Sequence, residues 1–204
     1  AGKRPDRAVI VYCQKLREYF GDIPIAIGGL EASLRRFAHY DYWDDGVRPS
    51  VLVDSGADLL MYGMGEHQIE EVCTRLAAGE KISDMHDVRG TCYLTEPVNT
   101  PLGAAQCPSF EQVRDSKTEY AKAVKIQYDW QDEVYGKTII QRHGNMMLVQ
   151  NPPAYSLTTE ELDRIYALPY MRAYHPSYEA QGGVPGIEEV RFSITHNRGC
   201  FGYC

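Results

Sequence analysis

Cys200 and Cys204 close the 204-residue chain in the run Arg198-Gly199-Cys200-Phe201-Gly202-Tyr203-Cys204. A C-x3-C pair on a glycine-bearing loop brings two soft thiolates together, the donor type that an iron–sulfur cluster takes. Two ligands do not complete such a site, so the pair reads as the first part of a longer motif. Two free thiols, a disulfide and half of a zinc site are the competing readings. Zinc knuckles favour C-x2-C, and a disulfide is disfavoured in a reducing compartment. Position favours the cluster. Val190-Arg191-Phe192-Ser193-Ile194-Thr195 alternates apolar and polar residues, the pattern of a strand with one buried face, and in α/β barrels chemistry gathers at the carboxyl ends of strands. His196, four residues before Cys200, is placed to touch a cofactor or bond a sulfur, or else to serve the turn.

Other chemistry-bearing patterns are weaker. Asp84-Met85-His86-Asp87-Val88-Arg89-Gly90 fits D-x-H-x-x-G, in which a histidine can be a lower ligand to cobalamin. The Ser50-Val51-Leu52 and Gly28-Gly29 that should follow it come before it, so His86 reads as a surface or turn residue. Gly63-x-Gly65 lacks the third glycine of a dinucleotide fingerprint, since Gln68 stands there; a tight strand-to-helix turn explains it. His39-Tyr40-Asp41-Tyr42-Trp43-Asp44-Asp45 could hold a divalent cation or line a pocket, but a loop packed by its own aromatics is the simpler expectation. Arg35-Arg36 reads as a solvated helix face. His67, His143 and His175 have no partner at metal-pair spacing. Cys13 and Cys73 fall on predicted apolar helix faces, as inert core thiols.

The elements that must position these residues alternate in α/β fashion over the first third. The spacing predicts a helix over 7–20 capped by Asp6, a strand over 23–27 closed by Gly28-Gly29, and a short helix over 30–37. Strands follow at 51–53 and 59–62, then a helix over 66–78 with Ile69, Val72, Cys73 and Leu76 on its apolar face and Gly79 as its stop. Such βα units predict a mostly parallel sheet with ligands outside the strand ends, where Gly28-Gly29 and Gly63-Met64-Gly65 lie. Beyond residue 88 come a hairpin-like 90–94, a helix over 110–130 opened by the Ser109/Gln112 capping box, a strand pair at 137–140 and 146–149, and a helix opened by the Thr158/Glu161 box. A linker over 170–186 leads to the strand before the cysteines. The expected organisation is a partial Rossmann-like layer over 1–88, a mixed connecting segment over 89–186, and the start of a further core over 187–204.

Composition frames this reading. With 44% hydrophobic residues the chain can build a core. Its net charge of −7, from 21 basic and 28 acidic residues, comes without a basic block, so the footprint of a nucleic-acid binder is missing. No apolar run approaches the roughly 20 residues of a membrane span, and no signal-peptide pattern opens the chain. The expected setting is cytoplasmic, with reduced thiols and no membrane partner.

Four runs carry a family resemblance: Ile27-Gly28-Gly29-Leu30-Glu31-Ala32-Ser33-Leu34-Arg35-Arg36-Phe37, His39-Tyr40-Asp41-Tyr42-Trp43, Tyr62-Gly63-Met64-Gly65-Glu66, and Ser193-Ile194-Thr195-His196-Asn197-Arg198-Gly199-Cys200. Together they resemble the N-terminal region of YgiQ-type radical S-adenosylmethionine (SAM) proteins of the UPF0313 group, over nearly the whole chain. The resemblance implies an α/β fragment: a partial Rossmann-like, cobalamin-binding-domain-like parallel sheet, a mixed segment, and the first strand of a radical SAM barrel. It implies a 4Fe–4S cluster on C-x3-C-x2-C, with Cys200 and Cys204 matching the first two positions and SAM chelated at the open iron. The third cysteine and the SAM-binding strands would lie downstream, and earlier strands upstream. It further implies an external electron donor and reductive cleavage of SAM to start radical chemistry on an unknown substrate, the cofactor supplying the difficult step. The fragment alone is then expected to be inactive, and none of its residues is assigned to catalysis or to SAM. The rival reading is a non-catalytic α/β module that binds or docks a partner or small ligand.

Overall fold

The computed structural model describes residues 5–194 and residue 198. The chain divides into two compact units, Ala1–Ser156 and Leu157–Cys204.

The first unit opens with helix α1 (Ala8–Phe20), capped at Arg7 without a side-chain bond rather than by Asp6. Strand β1 (Ala26–Ile27) follows, then α2 (Gly29–Leu34), the antiparallel hairpin β2 (His39–Asp41) and β3 (Gly46–Arg48), α3 (Val51–Ser55) and β4 (Leu59–Met61). The strand expected at 51–53 is α3. The Ser50 hydroxyl accepts the Leu52 N–H at 3.2 Å, and Gly56, at φ 63°, closes the turn, so capping at both ends overrides the β preference of the two valines.

Helix α4 (Glu66–Ala77) sits rotated from its expected face: Gln68 and Val72 are buried, whereas Ile69 and Cys73 are exposed. Next come β5 (Thr91–Thr95), β6 (Ala105–Gln106), α5 (Phe110–Asp115), α6 (Lys117–Asp129), β7 (Ile139–His143) and β8 (Met146–Gln150). The helix expected over 110–130 is broken at Ser116, which is extended at φ −142° and whose side chain accepts the Glu119 N–H, so one serine ends α5 and caps α6. The Ser109/Gln112 capping box forms as expected.

The strands build one six-stranded sheet in the order β1-β4-β5-β8-β7-β6. It is mixed: β1/β4 and β6/β7 are parallel, and the three pairings between them are antiparallel. The expected parallel βα arrangement is thus found at β1/β4. A two-residue Gly144-Asn145 connection makes β7/β8 antiparallel, as so short a loop requires. Strands from both sides of residue 88 share this sheet.

Alternation sends the two sheet faces to separate cores. Ile27, Leu60, Cys92, Ile139 and Leu148 pack with Cys13, Ala32, Leu52, Val113 and Ala123 of the helices. Leu59, Met61, Tyr93, Ile140, Met147 and Val149 pack with Val72 of α4 and with Ile82, Met85 and Val88. Leu59, Leu60, Ile139 and Leu148 are fully shielded, each worth about 1.5–3 kcal/mol of burial.

The second unit contains α7 (Thr159–Tyr166), with its Thr158/Glu161 capping box, a 3-10 turn at Pro176–Gln181, and α8 (Ile187–Val190). The strand expected over 190–195 is absent from its described part. Val190 ends α8, a turn follows, and the Arg191 N–H donates to the Ile187 carbonyl at 2.8 Å. Val190, Phe192 and Ile194 are 61%, 87% and 87% exposed. An alternating segment becomes a strand only where a sheet receives its apolar face.

Candidate functional site

The carboxyl ends of the parallel neighbours β1 and β4 carry the two glycine turns that open α2 and α4. Gly29 and Gly63 have φ of 79° and 72°, a left-handed backbone that side chains resist. The Gly63 N–H donates to Ser33 Oγ at 3.2 Å, tying one turn to the helix after the other. Leu30, Leu34 and Met64 are exposed on these two elements.

Beneath this surface lies a fixed polar frame. Arg36, expected on a solvated face, is half-buried: it donates to the Ser33 carbonyl and to Gln150 Oε1, each at 2.6 Å, and lies 5.0 Å from the Tyr62 ring centroid. Tyr62 donates its hydroxyl to the Asn151 carbonyl at 2.6 Å, and burial pushes its pKa up. Gln68 donates to the carbonyls of Tyr62 and Gly90 at 3.1 and 3.3 Å. Asn151 Nδ2 donates to the carbonyls of His86 and Val88 and to Thr91 Oγ1. The partners of Arg36 and Asn151 stand up to 114 positions away in sequence, which is why spacing alone gave no sign of this frame.

The His39–Asp45 segment is hairpin β2/β3 and its turn. Asp41, its side chain fully shielded, accepts from Arg7 Nε at 2.8 Å and from the Trp43 N–H at 2.9 Å. Burial alone would raise the Asp41 pKa, but the Arg7 bond and the Trp43 amide outweigh it and hold the carboxyl below its usual value. Arg48 pairs with Asp54 at 2.7 Å and with Asp44 at 3.2 Å. Arginines therefore satisfy these carboxylates, and no group of three or more metal-ligating side chains is found among the described residues. Tyr42 and Trp43 pack on each other with ring centroids 4.9 Å apart, while Tyr40 and Asp45 wall a cavity of about 700 Å³ with Val113, Arg114, Lys117 and Tyr120. Both the self-packed loop and the pocket wall are present, on different residues.

His86 is exposed in a loop, as expected, and stacks on Tyr93 at 4.2 Å. His175 caps the 3-10 turn by accepting the Ser177 N–H. His143 is instead buried: it bonds Gln141 Oε1 at 3.1 Å through Nε2 and stacks on Phe110. Burial, with a smaller contribution from His39 opposed by Glu111, lowers its pKa to about 4.

Cys13, Cys92 and Cys107 are buried, and burial pushes the Cys92 and Cys107 thiols up to about 12, far from the thiolate a metal needs. Cys73 is exposed on α4, a correction to its expected core position. The apolar spacing of α4 placed it inward; Gln68 takes the buried side instead, where it bonds two backbone carbonyls. Cys200, Cys204 and His196 lie outside the described residues.

A family model described as radical SAM N-terminal matches residues 1–193. A UPF0313 protein of Clostridium botulinum (strain ATCC 19397) is 57% identical over all 204 residues, which cover 32% of its length. One from Clostridium perfringens (strain ATCC 13124) is 54% identical over 204 residues, 31% of its length. One from Methanocella arvoryzae is 55% identical over 201 residues, 98% of this chain and 33% of the relative. The chain thus spans about a third of the length of these relatives. No solved structure matches.

Proposed function

The chain belongs to the radical SAM N-terminal family, and on that premise we propose that it is the N-terminal part of an enzyme that cleaves SAM reductively at a 4Fe–4S cluster. The match over residues 1–193 carries the proposal. Cys200 and Cys204 would hold the cluster with a third ligand outside this chain. Their chemistry fits, because paired thiolates are the donors such clusters take, and the buried Cys13, Cys92 and Cys107 do not compete for the role.

When bound, such a cluster would supply the electron that breaks the SAM sulfonium bond, having received it from an external donor. The chain's own residues do the supporting work. Parallel β1/β4, with its glycine turns, is the Rossmann-like element of the fold, and residues 187–204 lead into the catalytic core. The reaction belongs to the cytoplasm, where the thiols stay reduced; no described helix is long and apolar enough to cross a membrane.

Anaerobic reconstitution of the full-length protein tests this, with iron, acid-labile sulfide and 5′-deoxyadenosine as readouts. Cys200→Ala and Cys204→Ala should each remove most of the iron, and Cys13→Ala or Cys92→Ala should leave it nearly unchanged. A folded full-length protein without iron, or equal loss from all four variants, sinks the reading.

A further inference from the structure

The hairpin β2/β3 has no part in the cluster chemistry, yet with α5 and α6 it walls the cavity of about 700 Å³, a size suited to a small organic molecule. Its walls are fixed by contacts of the fold. Tyr40 and Val47 are directly opposed across β2/β3, so their side chains share one face of the hairpin. The Tyr40 N–H donates to the Tyr120 hydroxyl at 3.2 Å, joining hairpin to helix. Arg7 and Arg48, through Asp41, Asp44 and Asp54, tie the hairpin to the start of α1 and to α3. Asp45 stands at φ 48°, a left-handed backbone uncommon outside glycine, and its Oδ1 accepts the Tyr40 O–H at 2.8 Å.

The lining combines aromatic and apolar surface with bonding capacity that the protein does not use. Val47 and Val113 pack into the core and Tyr40 and Tyr120 add two rings. Lys117 makes no hydrogen bond or ion pair with any described residue. The Tyr120 hydroxyl accepts from Tyr40, which leaves its own proton to donate. Asp45 keeps an oxygen beyond the one that Tyr40 occupies. Arg114, in contrast, is already forked on Asp115 through Nε and Nη2 at 2.7 and 3.0 Å.

We propose that this cavity binds a flat aromatic monocarboxylate whose ring carries an N–H or O–H donor. The carboxylate takes Lys117 and the Tyr120 O–H, the ring lies on the tyrosine and valine surface, and its donor is received by Asp45. Charge decides between carboxylate and phosphate. One uncommitted cation facing one carboxylate suits a monoanion, whereas a phosphate monoester brings a charge of about −1.5 to −2 at pH 7 against Asp45. The inference goes beyond the cluster reading and does not depend on it.

Isothermal titration of the full-length protein with indole-3-acetate tests this. The expected result is one saturable site with a dissociation constant of about 1 mM or tighter, and binding at least about tenfold weaker for indole-3-acetamide, which keeps the ring and lacks the charge. Lys117→Gln should weaken indole-3-acetate about tenfold and Tyr40→Leu several-fold. Lys122→Gln should leave it unchanged, since that lysine of the same helix pairs with Glu119 and lines a different cavity. An affinity weaker than about 1 mM overturns the proposal, as does a loss below about threefold in Lys117→Gln or an equal loss in Lys122→Gln. Adenosine 5′-monophosphate binding more tightly than indole-3-acetate would make this a phosphate site, and acetate binding as tightly would leave the tyrosines without a role; either result equally overturns it.

Discussion

Gly90 shows how one residue can fix a frame. Its φ is 72°, and a Cβ there would sit 2.1 Å from Gln68 Nε2 and 3.1 Å from Ala154 Cβ. Gly90→Ala must therefore strain the backbone and push Gln68 off the two carbonyls it bonds. The expected cost is about 2–4 kcal/mol, combining a left-handed alanine with a broken buried hydrogen-bond pair, measurable as a lowered urea midpoint. His143 sets a pH dependence. Its folded pKa of about 4 lies below the ordinary histidine value of 6.5, so the unfolded chain binds the proton first. Stability is then unaffected by this group above about pH 6.5 and falls between there and about pH 4, with a slope of up to about 1.4 kcal/mol per pH unit. Urea midpoints followed from pH 7 to 4.5 should drop less steeply in His143→Gln; an unchanged slope would clear the histidine of responsibility. Sequence spacing revealed neither residue's role, because each depends on what packs over it.

At the scale of elements, the features legible in the sequence are those whose causes are local. The Ser109/Gln112 and Thr158/Glu161 boxes formed as their spacing predicts, and Gly79, at φ 88°, follows the end of α4. Val51-Leu52-Val53 was misleading because three apolar residues carry no period; the useful signals were Ser50 before them and Gly56 after. Residues 110–130 show the same lesson in reverse, since continuous helical periodicity hid a break that Ser116, a capping residue type, makes by serving two helices. Ser50 is fully buried and its hydroxyl accepts the Leu52 N–H. Ser50→Ala should cost about 1–2 kcal/mol, the upper range for a helix cap, and Ser50→Thr should recover part of it. Thermal melts of the two variants decide the matter: equal melting temperatures for Ser50→Ala and the parent would mean that packing alone forms α3.

At the scale of the molecule, βα alternation predicts a partial Rossmann-like layer over residues 1–88, and the sheet order gives its strands neighbours from beyond that segment. β4 has β1 on one side and β5 on the other, and β5 in turn pairs with β8, whose residues come more than 50 positions later. Local pattern identifies strands but not their neighbours, so this enclosure was invisible in the sequence. Residues 1–88 alone would keep only the two-residue β1 and three-residue β4 in parallel, short of what an independently stable sheet needs. They would also uncover Leu59 and Leu60, which are fully shielded in the complete unit. Residues 1–156 keep all six strands and both cores. The expected outcome is a cooperative thermal transition and dispersed amide resonances for 1–156, and neither for 1–88. A cooperative transition from 1–88 would show that the parallel pair and its helices suffice, and that β5 and β8 are additions to a layer already stable without them.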